Sequence, residues 1–272
     1  MMNFENFEIE IRDGVVFAVK NNPNMHYGIS LGMCEDLSRL IDEFQSDESA
    51  RALVISAGGP GFHRGAVMVQ EMRPTLADLT EADFRDLVHK GQDLGRKVAT
   101  CPKPVIGIAL TGALGGGLEQ LLRCDFVYTL DDARFTWPEV TLGFVAAWGG
   151  TQFGGRMLPM RKAQEMLLLG DSISGAEASA QGLVTQSFPG KEALEAHLDN
   201  VLDRLKFCSP TSYAQTKRCL AAVWAGPLSY GEQVEVDAEA VTMMTGDFLK
   251  AYAAWHDGKV YNYVTGIAEE RT

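Results

Sequence analysis

The spacing of apolar residues changes period several times along the chain, and each change marks an element. Phe7, Ile9 and Ile11 alternate with polar neighbours, Asp13-Gly14 follows, and Val15, Phe17 and Val19 alternate again. Period two on both sides of an Asp-Gly step predicts a β-hairpin. Asn21 to Asn24 reads as a loop. From Ser30 to Gln45 the period lengthens, with Met33, Leu37, Leu40, Ile41 and Phe44 on one helical face. Ala52 to Ser56 is a short buried strand ending in Gly58-Gly59-Pro60-Gly61, and Thr75 to Thr80 reads as an exposed linker. A long helix is expected over Glu81 to Thr100, with Phe84, Leu87, Val88, Leu94 and Val98 inward and Pro102 and Pro104 stopping it.

An apolar run from Val105 to Leu110 then predicts a buried strand, broken by Thr111-Gly112, Gly115, Gly116 and Gly117. Leu118 to Arg123 begins a helix. Further strands are expected at Phe126–Leu130, Ala133–Phe135 and Leu183–Phe188, with helices over Lys162–Leu169 and from Ser174, an N-cap, to Gly182. From Glu192 onward the pattern is helical, with Leu194, Leu198, Val201, Leu202 and Leu205 together. Strands alternating with helices up to about residue 190, then helices alone, predict an α/β core at 1–190 and a helical region at 191–272.

The glycine cluster is where chemistry is expected. A glycine-rich strand-to-helix turn leaves the first amides of the helix without intrahelical partners. Such a turn can hold a phosphate or a developing oxyanion. Glu119 lies three residues after Gly116, and a carboxylate there suits an acid or base beside an oxyanion rather than a phosphate site. A second carboxylate, Glu139, follows in TWPEVTLG. A dinucleotide turn fits poorly, because Leu118 stands where the last glycine of TGxxxGxG belongs and no Tyr-x-x-x-Lys accompanies it. No G-x-S-x-G is present, and the five histidines have no metal-ligand spacing.

At these residues the chain resembles the crotonase family, the enoyl-CoA hydratase/isomerase group. The resemblance is carried by GALGGGLE, CDF, ARFTWPEVTLG and GGTQ, and extends from about Phe7 to Ser187. It implies a spiral of ββα units with trimers, or dimers of trimers, built through C-terminal helices. It implies Glu119 and Glu139 as the catalytic pair, and the amides of Ala66 and Gly116 as the oxyanion hole. Phe62-His63-Arg64-Gly65-Ala66 matches the family's first oxyanion loop, with Val67 in place of the usual Asp. His63, Arg64 and Trp148 are expected to bind substrate. Trp148 stands where a small residue is common and would narrow the acyl pocket. Ala147 stands where some relatives carry an Asp base.

The implied reaction is hydration of a 2-enoyl-CoA, with coenzyme A as part of the substrate and no separate cofactor or metal. Alternatives are double-bond isomerisation, CoA-independent hydrolysis of a β-diketone, and a noncatalytic trimeric binding protein.

Composition changes the picture in three places. A net charge of −12 argues against nucleic acid and anionic membranes as partners, and means that CoA phosphates need a local basic patch. Lys20, Arg64 and a basic residue of a neighbouring subunit are the candidates. Five cysteines without a CxxC pair read as reduced thiols. The acidic start MMNFENFEIE has no apolar core of a signal peptide, and no stretch approaches the ~20 apolar residues of a membrane span, so a cytoplasmic protein is expected.

Overall fold

The structure is a computed structural model describing residues 3–22, 28–57 and 78–270. It divides into two compact units, one made of residues 1–99 and 105–195 and the other of 100–104 and 196–272.

The first unit is built on a six-stranded sheet. Strands β1 (Phe7–Arg12) and β2 (Val15–Lys20) form the hairpin, with Phe7 opposite Lys20 and Arg12 opposite Val15. Asp13 and Gly14 both have positive φ, as a two-residue hairpin turn requires. Helix α1 (Leu31–Ser46) starts where the Ser30 hydroxyl accepts from the Met33 amide at 3.0 Å. It buries Met33, Leu37, Leu40, Ile41 and Phe44, the residues its period selects. Strand β3 (Ala52–Ala57) pairs parallel to β2, and after helix α2 (Glu81–Thr100) strand β4 (Val105–Ala109) pairs parallel to β3. Strands β6 (Phe126–Leu130) and β9 (Gln186–Phe188) extend the sheet to the order β1-β2-β3-β4-β6-β9. All five residues of β4 are buried, as a parallel central strand covered on both faces demands. Each aliphatic side chain buried there contributes about 1.5–3 kcal/mol.

A second, three-stranded sheet holds β5 (Gly112–Leu114), β7 (Arg134–Thr136) and β8 (Ser172–Ser174) in that order. The chain therefore runs from β4 in the large sheet to β5 in the small one and then into α3 (Gly116–Leu121). It repeats the step from β6 to β7. These are the successive turns of the expected ββα spiral. Helices α4 (Gly150–Met157), α5 (Met160–Leu168) and α6 (Gly175–Ala180) follow. The Ser174 and Glu177 side chains cap α6 reciprocally.

Helix α7 (Lys191–Leu205) leads into the second unit, which contains α8 (Pro210–Ala222), α9 (Leu228–Met244) and α10 (Asp247–His256). The expectation of helices alone after residue 190 is corrected here. Strands β10 (Lys259–Asn262) and β11 (Ile267–Glu270) close the chain as an antiparallel hairpin. A second correction concerns α2, whose buried face is Gly91, Leu94, Gly95 and Val98, while Phe84 is exposed. Glycine has no apolar signature, so the period pointed to the larger neighbours instead.

Candidate active site

The site is assembled where β5 turns into α3. Gly115 takes φ 54° there, in the left-handed half of the map, and its amide donates to the Thr136 carbonyl at 3.0 Å. The first bond of α3 runs from the Glu119 amide to the Gly115 carbonyl, so the amides of Gly116, Gly117 and Leu118 precede the helical ladder. Every residue of α3 is buried. A carboxylate at its fourth position is therefore taken out of water by the fold itself.

Glu119 is 2% exposed. Its Oε1 accepts from the Gly150 amide at 2.6 Å, and the backbone N–H at Trp148 also favours its charged form. Burial pushes the Glu119 carboxyl up to about 7. The two amides and the nearby Arg123 guanidinium oppose that rise, while the charge of Glu139 adds to it. Glu139 opens a 3₁₀ turn over Glu139–Leu142, after Pro138 and before Gly143 at φ 87°. It too is buried, and burial raises its pKa.

Two buried polar atoms here, Glu139 Oε2 and Trp137 Nε1, have no hydrogen-bond partner among the described residues. A Cβ at Gly150 would lie 2.7 Å from Trp137 Nε1 and 2.9 Å from Glu119 Oε1, so the indole N–H and the carboxylate border the same small space. Buried groups without partners are costly, and a site that binds polar ligands or water is where they are tolerated.

The segment 147–150 forms a strap across the site. Gln92 donates to the Ala147 carbonyl at 2.8 Å, and Arg123 Nη2 to the Trp148 carbonyl at 3.0 Å. The Trp148 ring is buried against Ile29, Cys34, Leu87 and Val88. It lies over Gly91 so closely that a Cβ there would fall 1.9 Å from Trp148 Cε2. Gly91 is thus the notch that admits the indole.

Gly116 and Glu119 lie on α3, the charge of Glu139 acts on Glu119, and Trp148 lies on the strap whose Gly150 amide bonds Glu119. Ala66, His63 and Arg64 lie outside the described residues. Lys20, a candidate for CoA phosphates, is corrected: it is 2% exposed and lines an interior cavity with Met33, Leu37, Ile55, Leu94 and Gln120. Burial lowers its pKa to about 7, so it is no surface cation. The sequence reading missed Trp137, Gly150, Gly91 and Arg123. Trp137 directly precedes the Pro-Glu step, and Gly149-Gly150 was a visible break, but neither carried a sign of contact with Glu119. Among the described residues no group of three or more His, Cys, Asp or Glu is placed to hold a metal ion.

Residues 10–256 match the family model described as enoyl-CoA hydratase/isomerase. The chain belongs to this family, and its fold is the crotonase fold. It is 26% identical over 243 residues to a mitochondrial enoyl-CoA hydratase of Pongo abelii, covering 89% of this chain and 81% of that protein. It is 27% identical over 258 residues to a trans-2-decenoyl-[acyl-carrier-protein] isomerase of Streptococcus mutans, covering 93% and 96% respectively. A crystal structure of an enoyl-CoA hydratase from Bacillus anthracis superposes with a TM-score of 0.82 at 26% identity, covering 93% of this chain and 96% of that one. No helix among the described residues is long and apolar enough to cross a membrane.

Proposed function

We propose that the protein adds water reversibly across the 2,3-double bond of an acyl-CoA thioester. The observation that carries this reading is the pair of buried carboxylates, both with raised pKa, beside the glycine turn of α3. Hydration needs one carboxylate ionised and one protonated, and carboxyls lifted toward neutrality can supply both forms. Glu119 takes a proton from water as the hydroxyl adds to the β-carbon. The electron pair moves to the thioester oxygen, which becomes an enolate held by the amides of Gly116 and Ala66. Glu139 delivers its proton to the α-carbon, and proton exchange with solvent restores both carboxyls. Each oxyanion donor is worth about 10²–10³ in rate. Trp137 Nε1 and Glu139 Oε2 would find in the bound water and substrate the partners that none of the described residues supplies.

The direct test is loss of the conjugated thioester absorbance of crotonyl-CoA when the protein is added. No loss with crotonyl-CoA or cinnamoyl-CoA at micromolar enzyme overturns the reading.

A second reading is double-bond isomerisation, favoured by the match to the Streptococcus mutans isomerase. It needs a single carboxylate. Glu119→Gln separates the two, because it abolishes hydration and spares isomerisation.

CoA binding would draw on Arg64, beside the first oxyanion loop, on this acidic chain. Calorimetric titration with CoA should weaken with salt and with Arg64→Ala. The chain is also expected to assemble as a trimer or dimer of trimers. Met243, Met244, Phe248, Tyr252 and Trp255 are all exposed on the second unit, apolar side chains that a second copy would cover. A monomeric mass by light scattering at micromolar concentration would refute this.

A further inference from the structure

Arg123 carries no role in the chemistry above, yet it is a half-buried cation next to the site. It lies just past the Leu122 C-cap of α3, four residues after Glu119, and its amide still bonds back to the Gln120 carbonyl at 3.1 Å. Its Nη2 reaches the Trp148 carbonyl at 3.0 Å. Its guanidinium carbon lies 4.6 Å from the centre of the Phe153 ring in α4. Two glycines make room for it. A Cβ at Gly95 would sit 2.9 Å from its Nε, and one at Gly149 would sit 2.9 Å from its Nη2. Gly149 takes φ 126°, which bends the strap around the guanidinium.

These contacts close a ring. Glu119 is joined through α3 to Arg123, Arg123 to the Trp148 carbonyl, and the Gly150 amide, two residues further along the strap, back to the Glu119 carboxylate. We propose that Arg123 is a positioning residue for Glu119: by tying the Trp148 carbonyl to the helix that carries the carboxylate, it holds the strap so that the Gly150 amide stays at hydrogen-bonding distance from that carboxylate. The geometry suits arginine, whose planar fork can lie on a ring and donate at its edge, whereas lysine offers one point charge.

Three charged groups among the described residues act on the ring. Glu139 faces Glu119 and raises its pKa, Arg123 lowers it, and Arg96 on α2 faces Arg123 with like charge. Removing Arg123 takes away an attractive charge and loosens the strap that presents the Gly150 amide. Both changes favour the neutral carboxyl, so Glu119 must titrate at higher pH.

This inference rests on Glu119 being the base proposed above, but its main test does not need turnover. Glutamate ¹³C-labelled at the side-chain carboxyl is followed by NMR against pH, with the Glu119 signal assigned by its loss in Glu119→Gln. Arg123→Met should move the Glu119 midpoint upward. Arg123→Gln, which keeps a donor for the Trp148 carbonyl but no charge, should move it by a smaller amount. In crotonyl-CoA hydration, Arg123→Met should lower kcat by roughly 10–100-fold with KM little changed, as for a misplaced catalytic group. If Arg123→Met does not fold, Arg123→Gln alone decides. An unchanged Glu119 midpoint in the folded variants overturns the proposal. Absence of hydration by the wild type, with the midpoint shifted as expected, overturns only the functional reading.

Discussion

A carboxylate held in a site that raises its pKa destabilises the fold whenever it is ionised, and at Glu119 the size of that effect can be worked out. The folded carboxyl titrates at about 7 against an ordinary value of 4.5. Below the ordinary value the group is protonated in both states and contributes nothing. As pH rises between the two values the unfolded chain releases the proton first, so the folded state binds more protons and its stability falls. One pKa unit corresponds to about 1.4 kcal/mol, which makes the penalty at pH 8 about 3 kcal/mol and at pH 5 about 1 kcal/mol. Glu119→Gln removes this titration. The difference in unfolding free energy between variant and wild type should therefore shift in the variant's favour by about 2.5 kcal/mol from pH 5 to pH 8. Glutamine adds a constant offset, because it puts an uncharged amide, with one oxygen replaced by a donor NH₂, where the carboxylate accepts from the Gly150 N–H, but the amide itself does not titrate. Urea unfolding at several pH values measures the difference, and the same variant should lose hydration by roughly 10²–10⁴-fold. A stability difference flat between pH 5 and pH 8 would refute the argument, since it would mean that Glu119 ionises as easily folded as unfolded.

Glu139→Gln should cut hydration by roughly 10²–10⁴-fold with the fold retained, read by steady-state kinetics and circular dichroism. Gly91→Ala places a Cβ 1.9 Å from Trp148 Cε2, so the indole must leave its notch. The expected cost is about 1–3 kcal/mol in denaturant unfolding, with a fall in kcat as the strap that carries the Gly150 amide shifts from Glu119. Ser174→Ala removes one half of the α6 capping box and should cost about 1 kcal/mol while leaving hydration unchanged, which makes it the control for nonspecific destabilisation.

Much of the first unit was legible from period alone. The β1–β2 hairpin, α1, β3, β4 and β6 each combine a clear alternation or helical stripe with a turn or cap residue, and the structure places them within a residue or so of the pattern. Local sequence encodes these elements because the same residues that set the backbone preference also face the core. The three-residue strand β5 had no such pattern. Gly112–Leu114 is too short to show a period, and it becomes a strand only because Arg134–Thr136 runs beside it in register. The β10–β11 hairpin was missed for a related reason: Val260, Tyr261 and Ile267 are at most partly buried, so neither strand shows the alternation of a packed face.

At the site, the sequence by itself determined which residue types could do chemistry. A glycine turn before Glu119 and a Pro-Glu turn at Glu139 mark carboxylates on constrained backbone, and that much is local. What only the tertiary structure decided is the environment that raises the pKa of Glu119. The Gly150 amide that holds it is 31 residues away in the chain. The Arg123 that steadies the strap touches Trp148, and the notch that receives Trp148 is a glycine in α2. Burial, charge and hydrogen bonding act across space and fall off within a few ångströms, so a pKa lifted to about 7 is a property of the packed arrangement. No period or motif along the chain encodes which amide will arrive there.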